Sequence, residues 1–275
     1  IRDRCTDTRN IEKDSLFFAL KGANFNGNKF AKQALEKGAK YAIIDEAEYA
    51  DSEQYIVVHD VLKTLQALAH FHRKHLRTPI LAITGTNGKT TTKELISTVL
   101  SKQYNTLSTV GNLNNHIGVP LTLLKLRKEH EIGVIEMGAS KPGDIKELAE
   151  ITDPDYGIIT NIGRAHIEGF GNLENIASTK KELYDYLKEK YDAKIFIDTD
   201  NKQLLEMAGE LTHIGYGFEN NEHENQLVKG EVLKNNPYLQ FKWCIADICF
   251  DVTTHIIGTY NLKNVLAAVT VGKYF

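Results

Sequence analysis

Residues 84–91, with the sequence TGTNGKTT, have the types and spacing suited to binding the phosphates of a nucleotide. Glycine lets backbone N–H groups close around phosphate oxygens, Lys89 can reach the outer phosphates, and the Thr90 hydroxyl can ligate Mg²⁺. The segment follows the apolar run 79–83 and precedes helical spacing over 91–100, so it lies at a strand-to-helix turn, where a helix N-terminus adds its positive end. The pattern G-x-x-x-x-G-K-[ST] lacks its first glycine here, and a Gly-Lys-Thr turn that only caps a helix is the alternative.

The surrounding sequence predicts an α/β fold in two domains. Residues 1–77 predict a small α/β layer, and a Thr-Pro pair then marks the start of a second domain over 78–275. There, apolar runs alternate with helical spacing, which predicts a mostly parallel sheet flanked by helices. Residues 228–252 predict an added small antiparallel sheet, and a last helix is expected from Asn261. The other strands are expected at 16–20, 41–44, 55–59, 80–83, 106–108, 132–135, 157–160 and 195–197, and the other helices at 30–37, 61–76, from 91, from 120, from 144 and at 173–187.

Polar residues that follow the strands are candidate ligands, because parallel sheets bind ligands at the carboxyl ends of their strands. Glu136 follows the apolar run 132–135 and is a candidate Mg²⁺ ligand, with a solvated glutamate as the alternative. His166 lies in the polar loop after the strand at 157–160, and a surface histidine is the alternative for it.

Two asparagine-containing segments could contact a nucleotide. Residues 111–120, GNLNNHIGVP, offer amide donors and acceptors from Asn115 and its neighbours, although a turn without any ligand has the same composition. Asn261 and Asn264 are three residues apart at the start of the last predicted helix, hence on one face of it. Asn261 either caps this helix or contacts an edge of a nucleobase.

Composition narrows the class of protein. The 275 residues, 42% of them hydrophobic, have room for about two domains with a sizeable core. A net charge of -3, with Lys and Arg scattered, gives no electrostatic footprint for nucleic acid or an anionic membrane. No apolar stretch approaches the roughly 20 residues of a membrane span. Cys5, Cys244 and Cys249 have no metal-ligand spacing and predict reduced thiols in a cytoplasmic protein.

Together these segments resemble the Mur ligases, the ATP-dependent amide-forming enzymes of peptidoglycan precursor synthesis. The segments TGTNGKTTTK, VIEMGA, NIGRAHIEGFGNLENIASTKKEL and GTYNLKNVLAA occur in the family's order. TDTR at 6–9 and LFFALKG at 16–22 are similar to the family's N-terminal domain, which holds the UDP end of the substrate. The resemblance spans essentially the whole chain.

The resemblance implies ATP and Mg²⁺ as cofactors. Lys180 would be carbamylated, which turns a cation into an oxygen ligand, and an ordinary surface lysine or the adjacent Lys181 is the alternative. Thr8 and Arg9 would contact the UDP substrate. The implied nucleotide-binding residues are Gly85, Thr86, Asn87, Gly88, Lys89, Thr90, Thr91, Asn115 and Asn261, the implied Mg²⁺ ligands are Thr90, Glu136, His166 and Lys180, and the implied catalytic residues are Lys89, Glu136, His166 and Lys180.

Within the family, GNLNNHIGVPLTLL and AHIEGFG look most like the enzymes that add D-alanyl-D-alanine to UDP-muramoyl tripeptide through an acyl phosphate. The sister ligase that adds the third amino acid ranks second, and folylpolyglutamate synthase is a more distant third. Asn26, Asn28 and His116 depart from residues common in relatives. The chain stops at Phe275, where the family continues into a further domain, so the resemblance implies a fragment that does not ligate efficiently by itself.

Two functions outside the ligases use the same loop. A nucleotide-gated switch or transport ATPase would need an arginine finger or partner surface that the sequence does not identify. A silent binding module would use the loop only to anchor a ligand. Both leave Glu136, His166 and Lys180 without a joint explanation.

Overall fold

The structure is a computed structural model that describes residues 4–163, 170–218 and 225–275. It divides into one unit that ends at His72 and a second unit that begins at Arg73. Both units combine strands with helices, which confirms the predicted α/β class.

The first unit has a parallel sheet of short apolar strands. Its elements are β1 Arg4–Cys5, β2 Leu16–Phe18, β3 Lys21–Gly22, β4 Phe25–Asn26, α1 Ala31–Glu36, β5 Tyr41–Ile44, β6 Tyr55–Val57 and the start of α2 Val61–Leu76, which continues into the second unit. The sheet order is β1-β2-β5-β6, all parallel, and β3 and β4 pair separately and antiparallel. Phe17, Ala31 and Ile44 lie in one apolar core, so α1 covers the sheet.

The second unit is built on a larger sheet. Its described strands are β7 Ile80–Thr84, β8 Thr106–Ser108, β9 Ile132–Glu136, β10 Tyr156–Ile159, β11 Lys194–Asp198, β12 His213–Phe218, β13 Gln226–Asn235, β14 Leu239–Ile245 and β15 Ile248–Thr253. Its described helices include α3 Lys89–Leu100, α4 Gly118–Leu123, α5 Asp144–Thr152, α6 Leu173–Lys188, α7 Lys202–Ala208 and α8 Asn261–Tyr274. Among the described residues the sheet has nine strands in the order β15-β14-β13-β12-β11-β10-β7-β9-β8.

Helices cover both faces of the central strands. Ile158 belongs to the core that α3 and α8 complete. Successive residues of a strand point to opposite faces, and the neighbouring Gly157 faces Leu183 and Leu187 of α6. This double cover explains why β7, with the sequence ILAIT, is buried at every residue.

The carboxyl-terminal strands are antiparallel to one another, as predicted, and they extend the central sheet. β13 pairs in parallel with β12 on one side and antiparallel with β14 on the other. The sequence did not reveal β12, because Gly215 and Gly217 interrupt its apolar pattern. A Cβ atom at Gly217 would lie 2.7 Å from the Thr199 hydroxyl oxygen, so crowding explains this glycine. Helix α7 was also missed.

The prediction of reduced thiols is wrong for two of the three cysteines. Cys244 of β14 lies directly opposite Cys249 of β15, and the two form a disulfide. A sequence separation of five residues does not reveal this pairing, whereas the hairpin register brings the two Cα atoms to 4.1 Å. Cys5 is buried, with Sγ 2.9 Å from the Asp7 carbonyl oxygen. In the described ranges, no helix combines the length and apolar character needed to cross a membrane.

Candidate nucleotide and metal site

The loop between β7 and α3 has backbone angles that require glycine. Gly85 has φ +141° and Gly88 has φ +77°, both outside the range that other residues readily adopt. A Cβ atom at Gly85 would collide with the Thr160 hydroxyl, and one at Gly88 would lie 2.7 Å from Asn264 Oδ1. Helix α3 starts at Lys89, two residues before the predicted start, so its first-turn N–H groups directly follow the loop.

The end of β10 braces this loop. The Asn161 carbonyl oxygen accepts a hydrogen bond from Thr86 N at 3.0 Å, and Asn161 Oδ1 accepts one from Asn87 N at 3.0 Å. The Asn87 carbonyl in turn accepts hydrogen bonds from Thr160 Oγ1 at 2.6 Å and from Asn161 Nδ2 at 2.9 Å. Asn161 and Thr160 are not among the site residues predicted from the sequence, although their place at the end of a buried strand was a usable signal.

Lys89 lies over the loop that precedes it. Its Nζ donates to the carbonyl oxygens of Gly85 and Thr86, at 2.9 Å in both cases. Burial lowers the pKa of Lys89, and the nearby Glu136 carboxylate partly opposes that effect.

Glu136 ends β9, the neighbour of β7, and is 1% exposed. Its Oε1 accepts a hydrogen bond from Asn114 Nδ2 at 2.8 Å and one from the Thr90 hydroxyl at 3.3 Å. Its N–H donates to the Thr109 hydroxyl at 2.9 Å. The other carboxylate oxygen, Oε2, is buried and has no hydrogen-bond partner within the described residues. A cation beside Thr90 and Glu136 would satisfy this oxygen, so the donor set fits Mg²⁺.

Lys180 is a buried cation on α6, 3% exposed, with Nζ 5.6 Å from the centre of the Phe170 ring. Burial, and next the charge of Lys89, lower the pKa of Lys180 to about 8. No hydrogen bond or ion pair to Lys180 Nζ is found in the described part of the chain. The predicted alternative, Lys181, is partly exposed and pairs with Asp185 on the same helix. His166, the remaining predicted Mg²⁺ ligand, lies outside the described residues.

A cavity of about 350 Å³ joins several of these groups. Gly85, Thr86, Lys89, Asn115 and Lys180 line it, together with residues that were not selected from the sequence, such as Asn114 and Asp144. Two lysines therefore face one cavity. Among the predicted nucleotide-binding and Mg²⁺-ligating residues that the structure describes, six do not line the cavity: Asn87, Gly88, Thr90, Thr91, Glu136 and Asn261. Glu136 contacts the lining residue Asn114.

Asn115 and Asn261 form internal hydrogen bonds. Asn115 Oδ1 accepts from the backbone N–H groups of Ile117 and Gly118, at 3.1 and 2.9 Å, at the start of α4. Asn261 does not cap α8: its Nδ2 donates to the Ile257 carbonyl at 2.8 Å, and its Oδ1 accepts from Asn264 at 2.8 Å. Asn264 also accepts a hydrogen bond from the α3 residue Thr92 at 3.1 Å, so this pair ties α8 to the helix of the glycine loop.

The predicted substrate residues of the first unit lie in a short 3₁₀ turn, Thr8–Asn10. Asp7 accepts from Arg9 N at 2.9 Å, and its carboxylate pairs with the Arg9 guanidinium at 2.6 Å. These hydrogen bonds lower the pKa of Asp7 to about 2. The Thr8 carbonyl accepts from Lys37 Nζ at 2.9 Å, and the Arg9 side chain is exposed.

Asn28, one of the departures from the family's common residues, is fully buried in the same unit. Its Nδ2 donates to Asn26 Oδ1 at 2.9 Å and to Asp45 Oδ1 at 2.8 Å. Lys21 Nζ lies 3.1 Å from the same Asp45 oxygen. The unusual asparagines thus form part of a satisfied polar network.

A glycine loop between a parallel strand and a helix, with an acidic side chain at the end of the adjacent strand, defines an α/β protein of the phosphate-binding-loop class. The chain belongs to the Mur ligase family: residues 5–73 match the Mur ligase family catalytic domain, and residues 83–272 match the Mur ligase middle domain. The predicted family is therefore confirmed.

Individual relatives agree with this assignment. The chain is 37% identical over 273 residues to the UDP-N-acetylmuramoyl-tripeptide–D-alanyl-D-alanine ligase of Bacillus subtilis, covering 98% of this chain and 58% of the relative. Among solved structures, MurF from Acinetobacter baumannii has a TM-score of 0.86 at 32% identity, covering 98% of this chain and 59% of that one. MurF ligase from Thermotoga maritima, solved in complex with ADP, has a TM-score of 0.87 at 29% identity, covering 99% of this chain and 63% of that one. The chain thus spans about three fifths of the length of these relatives.

Proposed function

We propose that this chain supplies the ATP site and the UDP-substrate unit of a ligase that adds D-alanyl-D-alanine to UDP-N-acetylmuramoyl tripeptide. The convergence of Lys89 and Lys180 on one cavity beside the glycine loop carries the proposal, because such a space suits the phosphates of ATP and a substrate carboxylate. The names of the relatives support the choice of substrates. These substrates and ATP also support a cytoplasmic location.

The glycine loop is the proposed phosphate site. The first-turn N–H groups of α3 would face the phosphates, and Lys89 would exchange its bonds to the Gly85 and Thr86 carbonyls for the β- and γ-phosphates. The bonds from Asn161 keep the loop in shape while this exchange occurs. The Thermotoga maritima relative was solved in complex with ADP, which supports a nucleotide as the ligand of this chain.

Thr90, Glu136, His166 and a modified Lys180 are the proposed Mg²⁺ ligands. The buried, unpartnered Oε2 of Glu136 supports a cation there. Bound Mg²⁺ would supply positive charge against the phosphate oxygens of the nucleotide.

Lys180 is the proposed site of carbamylation. The ammonium first loses a proton, and the neutral amine then attacks the carbon of CO₂. An N–C bond forms as one C–O π bond opens, and a second proton leaves the nitrogen, so the cation becomes a carbamate anion. With a pKa of about 8, roughly a tenth of the amine is neutral at pH 7, far more than for a lysine of ordinary pKa.

The proposed reaction has two steps. A terminal carboxylate oxygen of the UDP-muramoyl tripeptide attacks the γ-phosphorus of ATP, releasing ADP and leaving an acyl phosphate. The amine of D-alanyl-D-alanine then attacks the acyl carbon, phosphate leaves, and the amine loses a proton to give the amide. Lys89 would stabilise the charge around the transferred phosphoryl group, and no protein nucleophile is required. In the first unit, Thr8 and Arg9 are the proposed contacts of the UDP group.

The proposal is tested by phosphate release from Mg²⁺-ATP, measured with this chain and with the longest natural polypeptide that contains it. One reaction contains UDP-muramoyl tripeptide with D-alanyl-D-alanine, and the other contains UDP-muramoyl dipeptide with a diamino acid. We expect release only with the first pair. Release only with the second pair would move the assignment to the sister ligase, and release independent of both acceptors would favour an ATPase switch. Nucleotide binding without release under any condition would favour a silent binding module.

A further inference from the structure

Lys93 is a lysine inside the second unit that the proposed reaction does not use. It lies one helical turn after Lys89 on α3 and is completely buried. Lysine is almost never fully buried without a partner, because removing an ammonium group from water is energetically unfavourable. Its Nζ donates to the Thr109 carbonyl at 2.6 Å and lies 2.8 Å from Oε1 of the exposed Glu94.

Thr109 connects this ammonium to the strand that carries Glu136. Thr109 directly follows β8, and its N–H donates to the Val134 carbonyl of β9 at 3.0 Å. Its hydroxyl accepts the N–H of Glu136 at 2.9 Å. Thr109 is therefore a buried residue that accepts a hydrogen bond from Lys93 through its carbonyl oxygen and one from the backbone N–H of Glu136 through its hydroxyl.

The loop that follows β8 and begins with Thr109 contacts Glu136 a second time. Asn114 Nδ2 donates to Glu136 Oε1 at 2.8 Å, and the Asn114 carbonyl accepts the Gly138 N–H at 2.7 Å. Thr109 and Asn114 thus hold the backbone and one carboxylate oxygen of Glu136 and leave Oε2 without a partner in the described ranges. The loop is anchored to α3 by the Lys93 hydrogen bond, a charge-assisted bond stronger than a neutral one.

We propose that Lys93 is a positioning residue which, through Thr109, holds Glu136 in the orientation that binds Mg²⁺. This inference rests on the proposed function, since it takes Glu136 as a ligand of the metal. A lysine that only stabilised the fold would support nucleotide binding equally with and without the metal. A positioning role predicts that loss of the contact between Lys93 and Thr109 weakens only the Mg²⁺-dependent part of nucleotide binding.

The test is binding of a fluorescent N-methylanthraniloyl derivative of ATP to this chain, measured in EDTA and across a Mg²⁺ titration. Lys93→Met removes the ammonium but keeps an unbranched side chain, and Thr109→Val removes the hydroxyl but keeps the carbonyl. We expect each to raise the half-saturating Mg²⁺ concentration about tenfold, the size typical of residues that orient a metal ligand. Affinity in EDTA should stay within about twofold of the parent in both variants.

Thr109→Ser is the matched control, because serine keeps both the carbonyl and the hydroxyl, and its Mg²⁺ titration should follow that of the parent chain. Thr109→Val tests the same connection without touching the buried charge, so the inference remains testable if Lys93→Met does not fold. If the Mg²⁺ titration of Thr109→Val is unchanged, or if its nucleotide affinity falls equally with and without Mg²⁺, the positioning role is overturned. The proposed metal site would still stand. A parent chain whose nucleotide binding ignores Mg²⁺ overturns the proposed metal site together with the positioning role.

Discussion

Replacing Lys180 with methionine should stabilise the protein near neutral pH. The fall in the pKa of Lys180 from 10.5 to about 8, at about 1.36 kcal/mol per pKa unit, means that holding its charge in a buried position close to the charge of Lys89 costs the native state about 3 kcal/mol at pH 7. The ammonium also lies 5.6 Å from the Phe170 ring centre, an attraction of about 0.5–1 kcal/mol that the substitution removes. We therefore expect Lys180→Met to increase the free energy of unfolding at pH 7 by about 2 kcal/mol.

The stabilisation by Lys180→Met should decrease as the pH rises. The pKa of Lys180 is lower in the native state, so between pH 8 and 10.5 the unfolded chain binds more protons than the native one. Stability of the parent therefore rises with pH through this range, and the cost of burying the charge, complete below pH 8, falls to about 1 kcal/mol at pH 10. The advantage of Lys180→Met should accordingly shrink to less than about 1 kcal/mol at pH 10.

Urea unfolding at pH 7 and pH 10, in decarbonated buffer with EDTA, measures both values without carbamylation or metal. Lys181→Met is the matched control, because Lys181 is partly exposed and pairs with Asp185 at the surface. Its substitution should change stability by less than about 1 kcal/mol at either pH. A Lys180→Met variant less stable than the parent at pH 7, or one with the same advantage at both pH values, would refute the reasoning.

Three further substitutions, one of them with a matched control, test the site. Glu136→Gln should raise the Mg²⁺ concentration needed for nucleotide binding at least about tenfold while leaving binding in EDTA unchanged, as followed by calorimetry. Gly88→Ala should lower the free energy of unfolding by more than about 2 kcal/mol, because φ of +77° and contact with Asn264 both oppose a Cβ atom. Gly111→Ala, with φ of +57° in open space, should cost only about 1 kcal/mol, and equal urea midpoints for the two alanine variants would contradict the packing argument. Asn161→Ala removes two side-chain hydrogen bonds from the loop and should weaken nucleotide binding about tenfold in a fluorescence titration, whereas unchanged affinity would show that the loop keeps its shape alone.

Elements with strong local signals could be predicted from the sequence. Helix α2 has the predicted bounds 61–76, because its apolar residues repeat at helical spacing and a Thr-Pro pair follows it. Strand β7 and the glycine loop could be predicted for the same reason, since an apolar run, glycines and a helical pattern follow one another within about twenty residues. Strand β12 lacked such a signal, because two glycines that are required by close packing interrupt its apolar pattern.

Contacts between distant segments could not be predicted in this way. Asn161 contacts the loop from 74 residues away, and Asn264 reaches Thr92 across 172 residues. Nothing in the local pattern separates these asparagines from Asn115, whose side chain accepts hydrogen bonds from backbone N–H groups only two and three residues further along the chain. The disulfide could not be predicted either, because the hairpin register, and not the spacing of the two cysteines, brings them together.

The site joins the ends of three neighbouring strands, beside a cavity that two lysine side chains line. The end of β7 provides the glycine loop and Lys89, the end of β9 provides Glu136, and the end of β10 braces the loop. Lys89 and Lys180 face the same cavity, and burial lowers the pKa of both, with mutual repulsion contributing at Lys180. An anionic ligand would relieve that repulsion, whereas carbamylation would remove it by inverting one charge. The electrostatics that suit this cavity to phosphate therefore also keep Lys180 partly neutral, the state that reacts with CO₂.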